Sequence, residues 1–268
     1  MNKKNLLTIV SAFVIATGVT ASADQGTVKV IGLKGRAQYA TAAGQWKDVK
    51  VGDVLPAGVV FRTATDSILD LQLVDRERAA DLTAGVVSPN TLVYQPDTGL
   101  KLGPGATGPI NPRANVVRLM ESTVLAVDNF TWTPTGVDVV VDVQLDLRQG
   151  KIFGMTRKIT GSSKFEIKLP NGVAQVRGTV YSLDAEGNAA VVTGLMVLSL
   201  VKPDGTIITR DISGNKGYIA KEDQIHDLPG VIVDDIVRRA AEFGPSLRVP
   251  PTSFTADMTV YYISPVKP

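Results

Sequence analysis

His226 is the only imidazole in the chain and cysteine is absent, which removes most covalent chemistry before any motif is read. A Ser-His-Asp arrangement could be built only on His226, and thiol catalysis, Cys-ligated zinc and a multi-histidine metal site are excluded. His226 itself lies between Ile225 and Asp227 in a loop-like stretch and reads as a surface residue. Two carboxylate pairs come into question. Asp142 and Asp146 fall on one strand face, four residues apart and so ~13 Å along the chain, beyond the reach of paired carboxylates in glycoside hydrolysis. Asp234 and Asp235 are neighbours on a helix and point in different directions. Both pairs read as solvated surface. Gly103, Gly105 and Gly108 match a G-x-G-x-x-G spacing, but Pro104, Pro109 and Pro112 surround it and no helical pattern follows, so it reads as a loop and not a phosphate cradle. Trp46 and Trp132 could stack on a sugar ring, although core packing is the simpler use of both. Trp132 is kept as the candidate ligand contact. No catalytic residue, cofactor site or metal ligand emerges, and the reading is of a non-enzyme.

The elements that would carry these residues are strands. Val28 to Ile31, Ala37 to Tyr39, Val59 to Arg62 and Ile68 to Val74 are β-branched or alternating runs, with Leu69, Leu71 and Leu73 on a face that should be buried. Val116 to Met120, Thr123 to Val127 and Val137 to Leu147 follow, the last alternating Val141, Val143, Leu145 and Leu147 with polar residues. Phe165 to Leu169, Val173 to Tyr181, Ala189 to Val192, Met196 to Val201, Ile207 to Arg210 and Gly217 to Ala220 complete the set, with a further short strand at Met258 to Ile263. Asn-Gly, Asp-Gly and Gly-Asn turns separate the later ones. Residues 95 to 113 are a Pro/Gly-rich loop. One helix is expected, Val231 to Phe243, with Ile232, Ile236 and Ala240 on its apolar face beside Val233 and Val237, Asp234 and Asp235 early, and Arg238 and Arg239 late. Its breadth of apolar face suggests docking onto the β-domain.

The N-terminus reads as a secretory signal. Lys3 and Lys4 precede an apolar run from Leu6 to Val19, and Ala21-Ser22-Ala23 is a cleavage site that makes Asp24 the mature terminus. The run is shorter than the ~20 residues of a membrane span, and no later segment is long and apolar enough to be one. Without the two signal lysines, 26 basic residues face 26 acidic ones, so charge offers no reason to propose a nucleic acid as ligand.

One stretch carries a family signature. Ser163 to Tyr181 reads S-K-F-E-I-K-L-P-N-G-V-A-Q-V-R-G-T-V-Y and resembles the core of the FecR domain, a strand, a turn and a G-V-A-x-V-R-G-T-x-[FY] strand. Pro170, Gly172, Val173, Ala174, Val176, Arg177, Gly178, Thr179 and Tyr181 fit, while Leu169 stands in place of Thr and Gln175 in place of a small residue. Gly35, Ala37, Trp46, Val49 to Asp53 and Phe61 to Leu73 resemble the family's opening, and Leu147 to Gly150 with Phe153 a later segment, so the likeness spans about residues 26 to 220. Physically, Gly172 suits a positive-φ turn and Gly178 a close backbone approach. An Arg in an apolar strand needs partners for its donors, so Arg177 reads as a structural residue tying neighbouring turns together.

The resemblance implies an all-β fold, a FecR-like β-sandwich or short β-solenoid with one C-terminal helix. Three regions are expected: a signal peptide at 1–23, a FecR-like domain at 24–220 with an insertion at about 95–143, and a C-terminal helix and Pro-rich tail at 221–268. FecR-like signalling proteins carry a cytoplasmic anti-sigma domain, a transmembrane helix and a periplasmic domain that hears an outer-membrane receptor. Too few residues precede the apolar run for a cytoplasmic domain, so the expectation is an exported, periplasmic or secreted binding or regulatory protein with an envelope protein as partner. The alternative is a carbohydrate-binding or extracellular matrix protein.

Overall fold

The computed structural model describes residues 23–41, 44–75, 115–135, 139–158 and 161–242. Most of the expected signal peptide, the Pro/Gly-rich stretch with its three spaced glycines, and the expected strand at Met258 to Ile263 lie outside these residues. The strands are β1 (Asp24–Gln25), β2 (Thr27–Lys34), β3 (Ala37–Ala40), β4 (Lys47–Asp48), β5 (Val54–Pro56) and β6 (Val59–Thr63). They continue with β7 (Ile68–Val74), β8 (Asn115–Leu119), β9 (Val124–Pro134), β10 (Val139–Gln149), β11 (Lys151–Met155) and β12 (Lys164–Leu169). The last are β13 (Gly172–Asp184), β14 (Ala189–Val201), β15 (Ile207–Ser213), β16 (Lys216–Ile219) and β17 (Gln224–Asp227), followed by one helix, α1 (Gly230–Glu242). Among the described residues the fold is all-β with a single C-terminal helix.

The strands form one sheet that curls over on itself along a line of corners. One half runs β4–β3–β6–β9–β10–β12–β13–β14–β15. The other runs β5–β2–β7–β8–β11–β13–β14–β16–β17. Each rung is thus an L, with one arm in each half: β2 with β3, β7 with β6, β8 with β9, β11 with β10, and β16 with β15. β13 and β14 bend through the corner without a break. Among the described residues the pairing is antiparallel except for β10 with β12, a pattern of stacked bent hairpins and not the parallel coils of a solenoid.

The inner faces of the two halves meet in one core. Leu69, Leu71 and Leu73 are buried as their alternation predicts, as are Val141, Val143, Leu145 and Leu147. All of these but Val141 form one continuous cluster with Phe61, Phe130, Phe165, Ile167, Tyr181 and Met196. A second cluster lies on the outer face of the β5-to-β17 half. There Val116, Phe153, Met155, Val180 and Val192 pack against Ile236 and Ala240 of α1, with Val233 and Val237 beside them. The helix docks, as its apolar face suggests. Ile232, expected on that face, is 42% exposed, and Asp234 and Asp235 fall beyond a first turn that holds no acidic residue. Ala189 to Val192 and Met196 to Val201 are one strand where two were expected, because Gly194 at φ +83° lets β14 turn the corner without ending.

Candidate functional site

The Arg177-Gly178-Thr179 motif is the corner itself. The β13–β14 register shifts between Arg177 and Val180, and Gly178 there adopts φ +60° opposite Gly194. A side-chain carbon on Gly194 would stand 2.2 Å from the Gly178 carbonyl oxygen, and one on Gly178 would stand 3.0 Å from Lys158 Cα. Thr179 is buried and donates from Oγ1 to the Leu195 carbonyl at 3.0 Å, while its own carbonyl accepts from Thr156 N at 2.8 Å. The Thr thus stitches the bend from both sides. Tyr181 is fully buried opposite Gly154, where a side-chain carbon would fall 2.1 Å from the Tyr ring. Burial pushes the Tyr181 hydroxyl far above its ordinary pKa, with Thr156 pulling weakly the other way. The two hydroxyls do not meet hydrogen-bond geometry, so Tyr181 serves packing.

Other motif residues depart from expectation. Gly172 does not take a positive φ. Its carbon would clash at 2.1 Å with the Ser199 carbonyl oxygen, so the glycine is there for close approach of β14. Pro170 lies in the turn before it, Val173 is half-buried and Ala174 is buried. Arg177 does not tie turns together: it is exposed on the outer face beside Lys164 and Gln175, and no ion pair of its side chain is found among the described residues. The strand's alternation puts it in water, which removes the need to satisfy its donors.

The residues considered for chemistry are scattered. Asp142 is half-buried on β10 with Oδ1 unpartnered among the described residues, whereas Asp146 is paired with Arg148 at 2.7 Å. Asp235 pairs with Arg238 at 2.5 Å and Arg239 at 2.7 Å, which hold its carboxyl below the usual range. His226 is not in a loop but on β17, half-buried over Gly217, where a side-chain carbon would stand 2.5 Å from Nε2. Trp132 is half-buried on β9 between Asp24 and Val141. Trp46 is not core: it is 38% exposed, with the Arg62 guanidinium carbon 4.0 Å from the ring centroid.

Sequence reasoning missed two features. The first is an ionic clasp under α1. Arg118 of β8, almost fully buried, donates to both oxygens of Asp70 on β7 (2.7 and 2.9 Å) and to Glu242, the last residue of the helix. Burial alone would lower the Arg118 pKa; the hydrogen bonds and charges of Asp70 and Glu242 outweigh it and raise it. Gly32 leaves the room that Asp70 occupies. Alongside, a cleft of about 350 Å³ opens between helix and sheet, lined by Phe153, Ile232 and Ile236 with Lys151, Asp235 and Arg239 at its rim. The second is the β15 edge. Three ends of the rung stack are closed by short strands: β4 with two residues, β5 with three including Pro56, and β17 with four. The fourth is β15, seven residues without proline or register shift, paired on one side to β14, with no strand on its other side among the described residues. Ile207 is 70% exposed at its start, beside Val201 of β14. A run of Ile-Ile-Thr-Arg-Asp-Ile-Ser signals a strand but not its place in the sheet.

Against known proteins, residues 112–195 match the family model described as FecR protein. Over this stretch the chain is FecR-like. The match covers β8 to β13 and the first part of β14, including the corner motif, and is narrower than the likeness read from about residue 26 to 220. Two crystal structures of a candidate anti-sigma factor from Parabacteroides distasonis ATCC 8503 are similar, at 1.65 and 2.50 Å resolution. They share 17% and 16% identity with this chain, each with a TM-score of 0.33 over 47% of it. The similarity spans 57% of either solved chain, a little over half its length. No curated protein matches in sequence.

Proposed function

We propose that this FecR-like chain is an exported regulatory protein of the bacterial envelope that acts by binding, and that its partner docks as an extended segment along β15. The edge of β15, uncovered among the described residues, carries the reading. A seven-residue strand offers a row of backbone N–H and C=O groups to an added strand. Its side chains alternate: Ile208 and Ile212 face the core, while Ile207, Thr209 and Asp211 face water. A partner segment should therefore alternate too, with its apolar residues on the core side. The signal-like N-terminus and the FecR match support a binding role in the envelope.

The test is a photo-crosslinker placed at Thr209, and at Lys29 on the far side as control, in cells that make the full chain. Adducts from Thr209 to an extended segment of one envelope protein, lost with Ile207→Lys and absent from Lys29, are expected. Equal adducts from Lys29, or no adduct from Thr209, would overturn the reading. Retention on purified envelope polysaccharide that Trp132→Ala abolishes would replace it with the carbohydrate-binding alternative.

A further inference from the structure

At the opposite end of the stack from β15, the rim of β3 and β6 encloses a polar hollow of about 440 Å³, lined by Arg36, Gln38, Asp48, Arg62 and Thr63. Arg62 and Gln38 are held in place before any ligand arrives. Arg62 lies over the Trp46 ring, and Gln38 Oε1 accepts from its Nε at 3.1 Å and its Nη2 at 2.6 Å. Gln38 donates in turn to Asp48 Oδ1 at 2.9 Å. Thr63 is spent on the Met120 carbonyl. That leaves Arg62 Nη1, the whole Arg36 guanidinium and Asp48 Oδ2 without partners among the described residues. Every ion pair of the described residues lies elsewhere, so neither guanidinium in the hollow is neutralised.

Two cations and one carboxylate oxygen lining one concavity, with the Trp46 ring against Arg62, form a specific set. A guanidinium whose orientation is fixed by stacking and by an amide is ready to take a carboxylate. An isolated carboxylate oxygen in the same hollow accepts from a hydroxyl, so the set suits a ligand that carries both a carboxylate and hydroxyls. We propose that this hollow binds an acidic saccharide, its carboxylate on Arg36 and Arg62 Nη1 and a ring hydroxyl on Asp48 Oδ2. The site is separate from β15 and from Trp132, so it stands or falls independently of the partner-strand reading.

The two tryptophans supply a clean readout. Titrating the purified ¹⁵N-labelled chain with trigalacturonate should shift the Trp46 indole N–H signal saturably and leave that of Trp132 in place. Arg36→Gln and Arg62→Gln, both at exposed positions, should each weaken binding about tenfold, the scale of one hydrogen bond to a charged group. Maltotriose of the same length should bind far more weakly. A shift at Trp132 in place of Trp46, equal binding of maltotriose, or indifference to Arg62→Gln would overturn the proposal. Inorganic phosphate matching trigalacturonate would overturn the saccharide assignment and leave an anion site alone.

Discussion

Glycine does at the corner what no other residue can. Gly178 and Gly194 face each other where two strands leave one half of the sheet for the other, and both take positive φ. Gly194→Ala has to accept the left-handed conformation, which costs about 1–2 kcal/mol, and also a contact of 2.2 Å with the Gly178 carbonyl oxygen. A loss of at least that size is expected in urea denaturation, with the same substitution at Gly205, where nothing lies within 4 Å, losing less. Equal losses at the two positions would remove the corner from the explanation. The neighbouring Arg177, for all its prominence in the motif, is exposed, so its replacement should leave stability nearly unchanged.

The helix is held by two unlike attachments. Ile236 and Ala240 bury apolar surface on the sheet, and Glu242 reaches Arg118, which is already bidentate to Asp70. The side chain of Arg118 is 7% exposed and that of Asp70 15%, so removing the cation strands a buried carboxylate. Arg118→Met is expected to cost about 3 kcal/mol, whereas Asp70→Leu with Arg118→Met should recover most of that loss, because the charge left behind is the main penalty. Glu242→Gln, at a side chain 46% exposed, should change little. Urea denaturation of the three variants decides it; a double variant as weak as the single one would contradict the account. The spacing of Ile236 and Ala240 made the helix's inner face legible, but Asp70 and Arg118 meet only through the β7–β8 register, which sequence separation conceals.

At the scale of the molecule, the two ends of the rung stack are built differently. The β3–β6 end carries the polar hollow, and the other end is fastened by Asp223, which meets Lys202 after β14 (2.9 Å), Arg210 on β15 (2.8 and 2.9 Å) and Tyr218 on β16 (3.1 Å). The Lys202 hydrogen bond is the largest cause holding the Asp223 carboxyl below its ordinary 3.8, with Tyr218 and Arg210 adding to it. A depressed carboxyl stabilises the fold above its unfolded pKa and loses that contribution as pH falls through the folded value. Asp223→Asn should therefore melt below the parent chain at neutral pH, and the gap should close as the pH is taken below 3.8. A gap independent of pH would mean that the carboxylate is not what fastens this end. Because Arg210 lies on β15, the same acid titration reports how firmly the proposed docking strand is held.

Alternation and turn chemistry by themselves settled that this is a β protein with a C-terminal helix and which faces of β7 and β10 are buried, while the resemblance to FecR rests on residue identities, chiefly from Ser163 to Tyr181. These are local facts: a period of two sorts apolar from polar side chains wherever the strand lies. Tertiary structure alone decided the rest. It turned two expected strands into a bent β14, moved Trp46 from core to surface, put Arg177 in water and His226 on a strand, and left one edge of β15 without a strand among the described residues. Each depends on which strand pairs with which and where the sheet bends. Those pairings are set by contacts between residues far apart in the chain, which no local pattern encodes.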